Sequence, residues 1–263
     1  MFRADSGFAV LAEIEPATKP DLSGVRRQIA VLASVADAFL VPDNHLGRAT
    51  VSSIAVAHEV AYMGGRVVAC INGRDRKELG FDRDLLTAAA YGVDHLLLVG
   101  GDRPPGEVSG GMKVSAMVRA AKAAGEDSRR FPLFGGFTVG AAAQIGRPLV
   151  AWKREADFLL VQVSFDDIDR LVEWRRSIDY HGAVLPAVLV LASSAMADRL
   201  CQGNFGIDIP EPVRERLLEE PDCGVELAMD RLNELRRCGE FDGVHLVAGS
   251  RYRQVAQALV RWT

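Results

Sequence analysis

The chain is poor in cysteine. Cys70, Cys201, Cys223 and Cys238 are its four thiols among 263 residues, and no two have the CxxC spacing that clamps zinc or runs disulfide exchange. They read as reduced thiols. No apolar run approaches the roughly 18 residues of a bilayer span, and Met1-Phe2-Arg3-Ala4-Asp5 has neither the basic nor the apolar region of a secretory signal. A soluble cytoplasmic protein is the expectation. Lysine and arginine form no block, and 31 of them stand against 35 acidic residues for a net charge of -4. Nucleic acid and anionic membrane each demand a concentrated cationic face, so small molecules are the expected partners, with a homo-oligomer left open. HExxH, GxSxG and P-loop motifs are missing. Neither GGDRPPG (100–106) nor GGFTVG (135–140) fits the GxGxxG dinucleotide fingerprint, and no cluster suggests a metal site.

Apolar residues make up 49% of the chain, which excludes disorder. They fall in eight runs of strand length: Phe8 to Ile14, Phe39 to Val41, Val67 to Ile71, Leu96 to Val99, Pro132 to Val139, Phe158 to Val163, Ala183 to Leu191 and Val244 to Val247. Between them, stripes such as Val25, Ile29, Leu32 and Val35, or Val114, Met117, Val118 and Ala121, have the spacing of one helix face. Val225, Ala228, Leu232 and Leu235 form another stripe, and Val255, Ala256, Leu259 and Val260 a last one. Gly64-Gly65, Gly92, Gly125 and Gly239 stand where these helices should stop. Strands apolar throughout are buried on both faces, as parallel strands under helices must be. Eight such alternations in this length predict a (β/α)8 TIM barrel forming a single domain over 1–263, with an open doubly wound sheet as the alternative. The polar stretch Cys201 to Gly224, with three prolines, reads as an excursion before the last helix and strand.

In such a barrel chemistry sits at the carboxyl ends of the strands. The first strand ends Ala12-Glu13-Ile14-Glu15-Pro16, and an acid after five apolar residues is costly to place without use. The second ends Pro42-Asp43-Asn44-His45, the third Asn72-Gly73-Arg74-Asp75-Arg76, and the fourth Gly100-Gly101-Asp102. Gly-Gly-Asp is also an ordinary turn. Gln162 lies within an apolar run, so its amide needs either protein partners or a ligand with donor and acceptor edges. Of the histidines, His58, His95, His181 and His245 read as structural or surface groups, while His45 is a candidate.

Taken in order, these segments resemble the methylenetetrahydrofolate reductases. AEIEP resembles the family's first strand, with Glu13 on its catalytic acid. Asp43-Asn44 is similar to the Asp-Asn after strand two, Arg74-Asp75-Arg76 to an Arg-Asp-Arg segment, and HLLLVGGDRPP (95–105) to a leucine-rich strand followed by Arg-Gly-Asp-x-Pro. Gln162 with Ser164-Phe165-Asp166 matches a pterin-contacting Gln before Phe-Asp.

What the resemblance implies is a substrate site of Glu13, Asp43, Asn44, Asp102 and Gln162. Where flavin-dependent members carry a His, an Arg and a Tyr-Pro-Glu serving the flavin, this chain has Cys70, Gly100 and Phe137 to Val139. That departure implies the smaller, flavin-independent branch, with NADH (or NADPH) passing hydride directly to 5,10-methylenetetrahydrofolate, no FAD, and a cofactor side of Cys70, Asn72, Gly100, Gly101 and Phe137. Glu13 is then the general acid, its pKa expected to rise through burial and the charge of Asp102. Arg48 and Arg103 are loop cations for the folate tail or the dinucleotide phosphates. Two alternatives stand beside this one: an FAD-dependent reductase, and a non-catalytic folate-binding subunit.

Overall fold

A computed structural model describes residues 7–44, 47–102, 110–202 and 207–262. Eight parallel strands close into one barrel in chain order: β1 (Ala9–Glu13), β2 (Ala38–Val41), β3 (Val67–Asn72), β4 (His95–Val99), β5 (Thr138–Ala143), β6 (Phe158–Val161), β7 (Ala183–Leu189) and β8 (Gly243–Val247). The barrel is the architecture expected from the alternation of apolar runs and helical stripes. Helices α1 (Ser23–Leu32), α2 (Ser53–Tyr62), α3 (Glu78–Ala90) and α4 (Val114–Ala124) follow the first four strands. After β6 comes α5 (Ile168–Ser177), and after β8 comes α9 (Tyr252–Val260). The stretch after β7 carries α6 (Ser194–Gln202), α7 (Glu211–Glu219) and α8 (Gly224–Cys238), so the expected excursion contains helix of its own. After β5 there is only a short 3-10 turn, Ala151–Glu155, in place of an α-helix. No described helix is long and apolar enough to cross a membrane.

Side chains alternate along each strand, and the two rows have different partners. Ala9, Leu11, Ala38, Leu40, Val68, Cys70, Leu97, Phe158, Leu160 and Leu185 point inward and pack as one cluster that fills the barrel. The other row, including Ala12, Phe39, Ile71, Leu98 and Val139 on one side and Val161, Val184 and Leu246 on the other, packs under the helices. This double burial is why the strands carry no hydrophobic-polar alternation.

Register is fixed at the amino ends by carboxylates. Asp37, Asp157 and Asp242 each precede an even-numbered strand and accept the backbone N–H of Val10, Val139 and Val184 on the preceding strand, at 2.8, 2.7 and 2.9 Å. Each bond ties an even strand to its odd neighbour before the ladder begins. Such charge-assisted bonds are stronger than neutral ones.

Two expectations are corrected. The fifth strand runs from Thr138 to Ala143, not from Pro132. Phe131, Phe134 and Phe137 instead form an aromatic cluster, with the rings of Phe134 and Phe137 centred 4.5 Å apart, and Leu133 takes a positive φ of 64° that no strand has. Gly125 is right-handed, unlike Gly64, Gly92 and Gly239; a Cβ there would lie 2.8 Å from the Cα of Gly136, so close approach of two backbones explains the glycine.

Candidate active site

Extending the inward rows to the carboxyl end identifies the mouth. Glu13 continues the row of Ala9 and Leu11, Asn72 that of Val68 and Cys70, and Gln162 that of Phe158 and Leu160. On β8 the inward row is Gly243, His245 and Val247, and Leu11 pairs with His245 across the barrel seam. Glu13 and His245 therefore come together: Oε2 of the carboxyl group lies 3.0 Å from Nε2 of the imidazole. Their side chains are 14% and 11% exposed, partly open to the mouth and enclosed enough for the bond to resist water. Either group can carry the shared proton, and the pair can deliver it to a basic atom placed over Glu13. The polar group in contact with Glu13 is thus the imidazole of His245, whose sequence context suggests a structural histidine.

Cys70 lies on the inward row of β3, within electrostatic reach of Glu13. Burial pushes its thiol far above the ordinary cysteine range, and the nearby charges of Asp43 and Glu13 push it further. It is a neutral part of the barrel filling, and its carbonyl accepts the Ser53 hydroxyl at 2.6 Å.

Asp43, Asn44 and Asn72, expected as ligand contacts, are each engaged in hydrogen bonds within the protein. Oδ2 of Asp43 accepts the backbone N–H of Asn72 at 2.9 Å, its side-chain amide at 2.7 Å and the Arg76 guanidinium at 2.6 Å. Asn72 is 1% exposed. Its Oδ1 accepts the N–H of Asp75 at 3.1 Å. Arg76 also reaches Asp84 at 2.5 Å; burial alone would lower its pKa, and the two carboxylates outweigh that and raise it. Asn44 donates to Asp75 at 2.9 Å and accepts the N–H of Thr50 at 3.2 Å. These residues hold the loops after β2 and β3 in place. The sequence signal, polar residues ending an apolar run, is the same for a loop brace as for a ligand contact.

The β3 and β4 loops are zipped together. Gly73 donates to Val99 at 2.8 Å, Arg74 to the Gly100 carbonyl at 3.2 Å, and the Arg74 side chain to the Asp102 carbonyl. Arg74 also grips Asp75 with two nitrogens, holding that carboxyl down to about 2. Gly101 has φ of 86°, and a Cβ there would meet Asn72 and Arg74 at 3.1 to 3.2 Å. Gly100 and Asp102 are exposed at the rim.

Gln162 lies one residue beyond β6, anchored by its backbone N–H to Ala143 at 2.9 Å. Gln162 is exposed, and among the described residues its side-chain amide has no protein partner. Phe137 precedes β5 and is buried at the amino end of the barrel, opposite the mouth, so it cannot line a cofactor there. The residues at the carboxyl end of β5 are Ala143 and Gln144. Arg48 is exposed beyond β2. His45 and Arg103 lie outside the described residues.

No known family's sequence profile matches the chain, and no curated protein matches it. Solved structures with its fold include a Clostridium thermocellum protein that binds two copies of 5-methyl-5,6,7,8-tetrahydrofolic acid, at 13% identity over 96% of this chain and 93% of that one, with a TM-score of 0.66. The spore cortex-lytic enzyme SleL of Bacillus cereus aligns at 11% identity over 96% and 74%, TM-score 0.57. Tryptophan synthase of M. tuberculosis aligns at 14% over 97% and 93%, TM-score 0.53. At these identities the likeness establishes the fold: the chain is a (β/α)8 barrel with a carboxyl-imidazole pair at its mouth.

Proposed function

We propose that the chain binds a reduced folate in the barrel mouth and reduces 5,10-methylenetetrahydrofolate to 5-methyltetrahydrofolate, with NADH as direct hydride donor and no flavin. The observation that carries this reading is the Glu13–His245 pair. Opening the imidazolidine ring of the substrate breaks the bond from the methylene carbon to one nitrogen, and that nitrogen must receive a proton. Glu13 supplies it, and His245 restores it from solvent. The remaining iminium carbon then accepts hydride from the nicotinamide, so that one proton and one hydride convert the methylene bridge to a methyl group. Asp102 and Gln162 bind the aminopyrimidinone edge, the carboxylate accepting from ring N–H and amino group, the amide pairing both ways. Proton transfer supplies about 10²- to 10⁴-fold, and holding the two reactants together supplies more.

The folate-binding structural neighbour supports the ligand class. Binding of 5-methyltetrahydrofolate by that protein equally favours a second reading, a folate-binding barrel without turnover. Steady-state oxidation of NADH by flavin-free protein separates them. Oxidation that depends on methylenetetrahydrofolate supports the reductase; folate binding without oxidation supports the binding protein; activity only after FAD is added supports a flavoenzyme.

A further inference from the structure

The connection after β5 is unlike the others, since a 3-10 turn stands where a helix would cover the barrel. A cavity of about 260 Å³ opens there, with Gln144, Arg147, Lys153, Gln162 and Trp174 in its wall. Its size falls below the roughly 300 to 1,000 Å³ of pockets that enclose a whole drug-sized ligand. It suits an end group.

The charge in the wall has one sign. Among the described residues, neither Arg147 nor Lys153 has a carboxylate in ion-pair range. Lys153 is half-buried, its nitrogen 5.6 Å from the centre of the Trp152 ring. Burial and the charge of Arg147 hold its pKa below the ordinary lysine value. Two cations facing one cavity without a counter-charge repel each other, and a bound anion removes that cost while gaining charge-assisted hydrogen bonds. The loop is also anchored in place: Nε1 of Trp174 donates to the Arg147 carbonyl at 3.0 Å. The amides of Gln144 and Gln162 add neutral donors, and Gln162 belongs both to this wall and to the inward row of β6. The cavity therefore adjoins the mouth.

We propose that the cavity walled by Arg147 and Lys153 is an anion subsite, taking the phosphate or carboxylate end of a ligand whose remainder passes Gln162 into the barrel mouth. The guanidinium fork matches either anion, and the ammonium adds a point charge. The subsite stands on its own geometry; its assignment to the dinucleotide or the folate tail rests on the proposed function.

The test is a titration of the full chain, read by tryptophan fluorescence because Trp152 and Trp174 flank the cations, with pyrophosphate, ADP and γ-glutamylglutamate as separate probes. Saturable binding in or below the millimolar range is expected, weakened at least roughly tenfold in Arg147→Ala/Lys153→Met, where methionine keeps the lysine's apolar stem and circular dichroism verifies the fold. Preference for ADP identifies a dinucleotide phosphate, and preference for γ-glutamylglutamate identifies the folate tail. Absence of saturable binding of all three probes, or equal binding by the double variant, overturns the subsite. Absence of folate binding by the parent chain, with pyrophosphate binding present, overturns the folate reading and leaves the subsite standing.

Discussion

Nε2 of His245 on the last strand lies 3.0 Å from Oε2 of Glu13 on the first, a contact made across the closing seam of the barrel. Under the proposed reaction the imidazole acts through the acid and does not touch substrate, which makes it a positioning residue. His245→Asn is expected to lower kcat by on the order of tenfold, less than loss of the acid itself, with KM for folate little changed. Its pH-rate profile should shift relative to the parent, because the group that reprotonates Glu13 has changed. An unchanged profile with unchanged kcat would remove His245 from the reaction.

Gln162 has an anchored backbone and a side-chain amide with no protein partner among the described residues. Gln162→Ala therefore leaves no buried group stranded and should fold normally. It is expected to weaken folate binding roughly tenfold through the loss of one or two hydrogen bonds. Calorimetric titration with 5-methyltetrahydrofolate measures this, and unaltered affinity would place the pterin elsewhere.

Asp43 has three donors on one oxygen, and its side chain is 4% exposed. Asp43→Ala strands part of the Arg76 charge. The expected destabilisation is about 3 kcal/mol, at the lower end for breaking a buried pair because Asp84 still faces the guanidinium. Urea unfolding of the two proteins measures it. A change near zero would mean that the brace is not needed for stability.

Asp75 gives a pH signature. Its hydrogen bond from Arg74 leads the effects that hold the carboxyl at about 2, against an unfolded value near 3.9. A depressed folded pKa contributes stability that is full above the unfolded value and is lost as pH falls through the folded one. The stability difference between parent and Asp75→Asn should be constant above about pH 5 and shrink steadily between about pH 4 and pH 2. Thermal melts across that range test it, and a difference independent of pH would show that the Arg74 contact does not depend on charge.

Cys70 is buried with its thiol pKa raised, and Cys223 is buried with its pKa raised as well, in both cases chiefly by burial. Thiolate is the reactive form. A disulfide reagent should modify at most Cys201 and Cys238 rapidly in native protein, and all four only in denaturant. Fast modification of Cys70 would show that the barrel interior opens.

The barrel was legible because its cause is local. Strands buried on both faces and helices with one apolar stripe leave their periods in the sequence, and counting them gives the fold. The position of Glu13 was legible for the same reason, as an acid closing an apolar run on the inward row. β5 was not: Thr138–Ala143 is mostly glycine and alanine, whose weak strand preference is overridden by fit, since a Cβ on Gly140 would lie 2.2 Å from the Phe158 ring that fills the barrel there. The neighbouring aromatic segment looked more like a strand and is a loop, which moved Phe137 from the expected mouth to the opposite end. His245 was hidden by distance, because its partner is joined to it only when the barrel closes. Asp43 and Asn72 were visible as polar groups, but sequence does not show that their hydrogen bonds are spent on Arg76 and on each other.

The most direct measurement is the rate at which purified, flavin-free protein oxidises NADH with methylenetetrahydrofolate present, for the parent chain and for Glu13→Gln, alongside folate binding by both. Oxidation is expected to require the folate, to yield 5-methyltetrahydrofolate, and to fall about 10²- to 10⁴-fold in the variant while folate binding persists. Turnover undiminished in Glu13→Gln, or no methylfolate product from the parent chain, would contradict the proposed function.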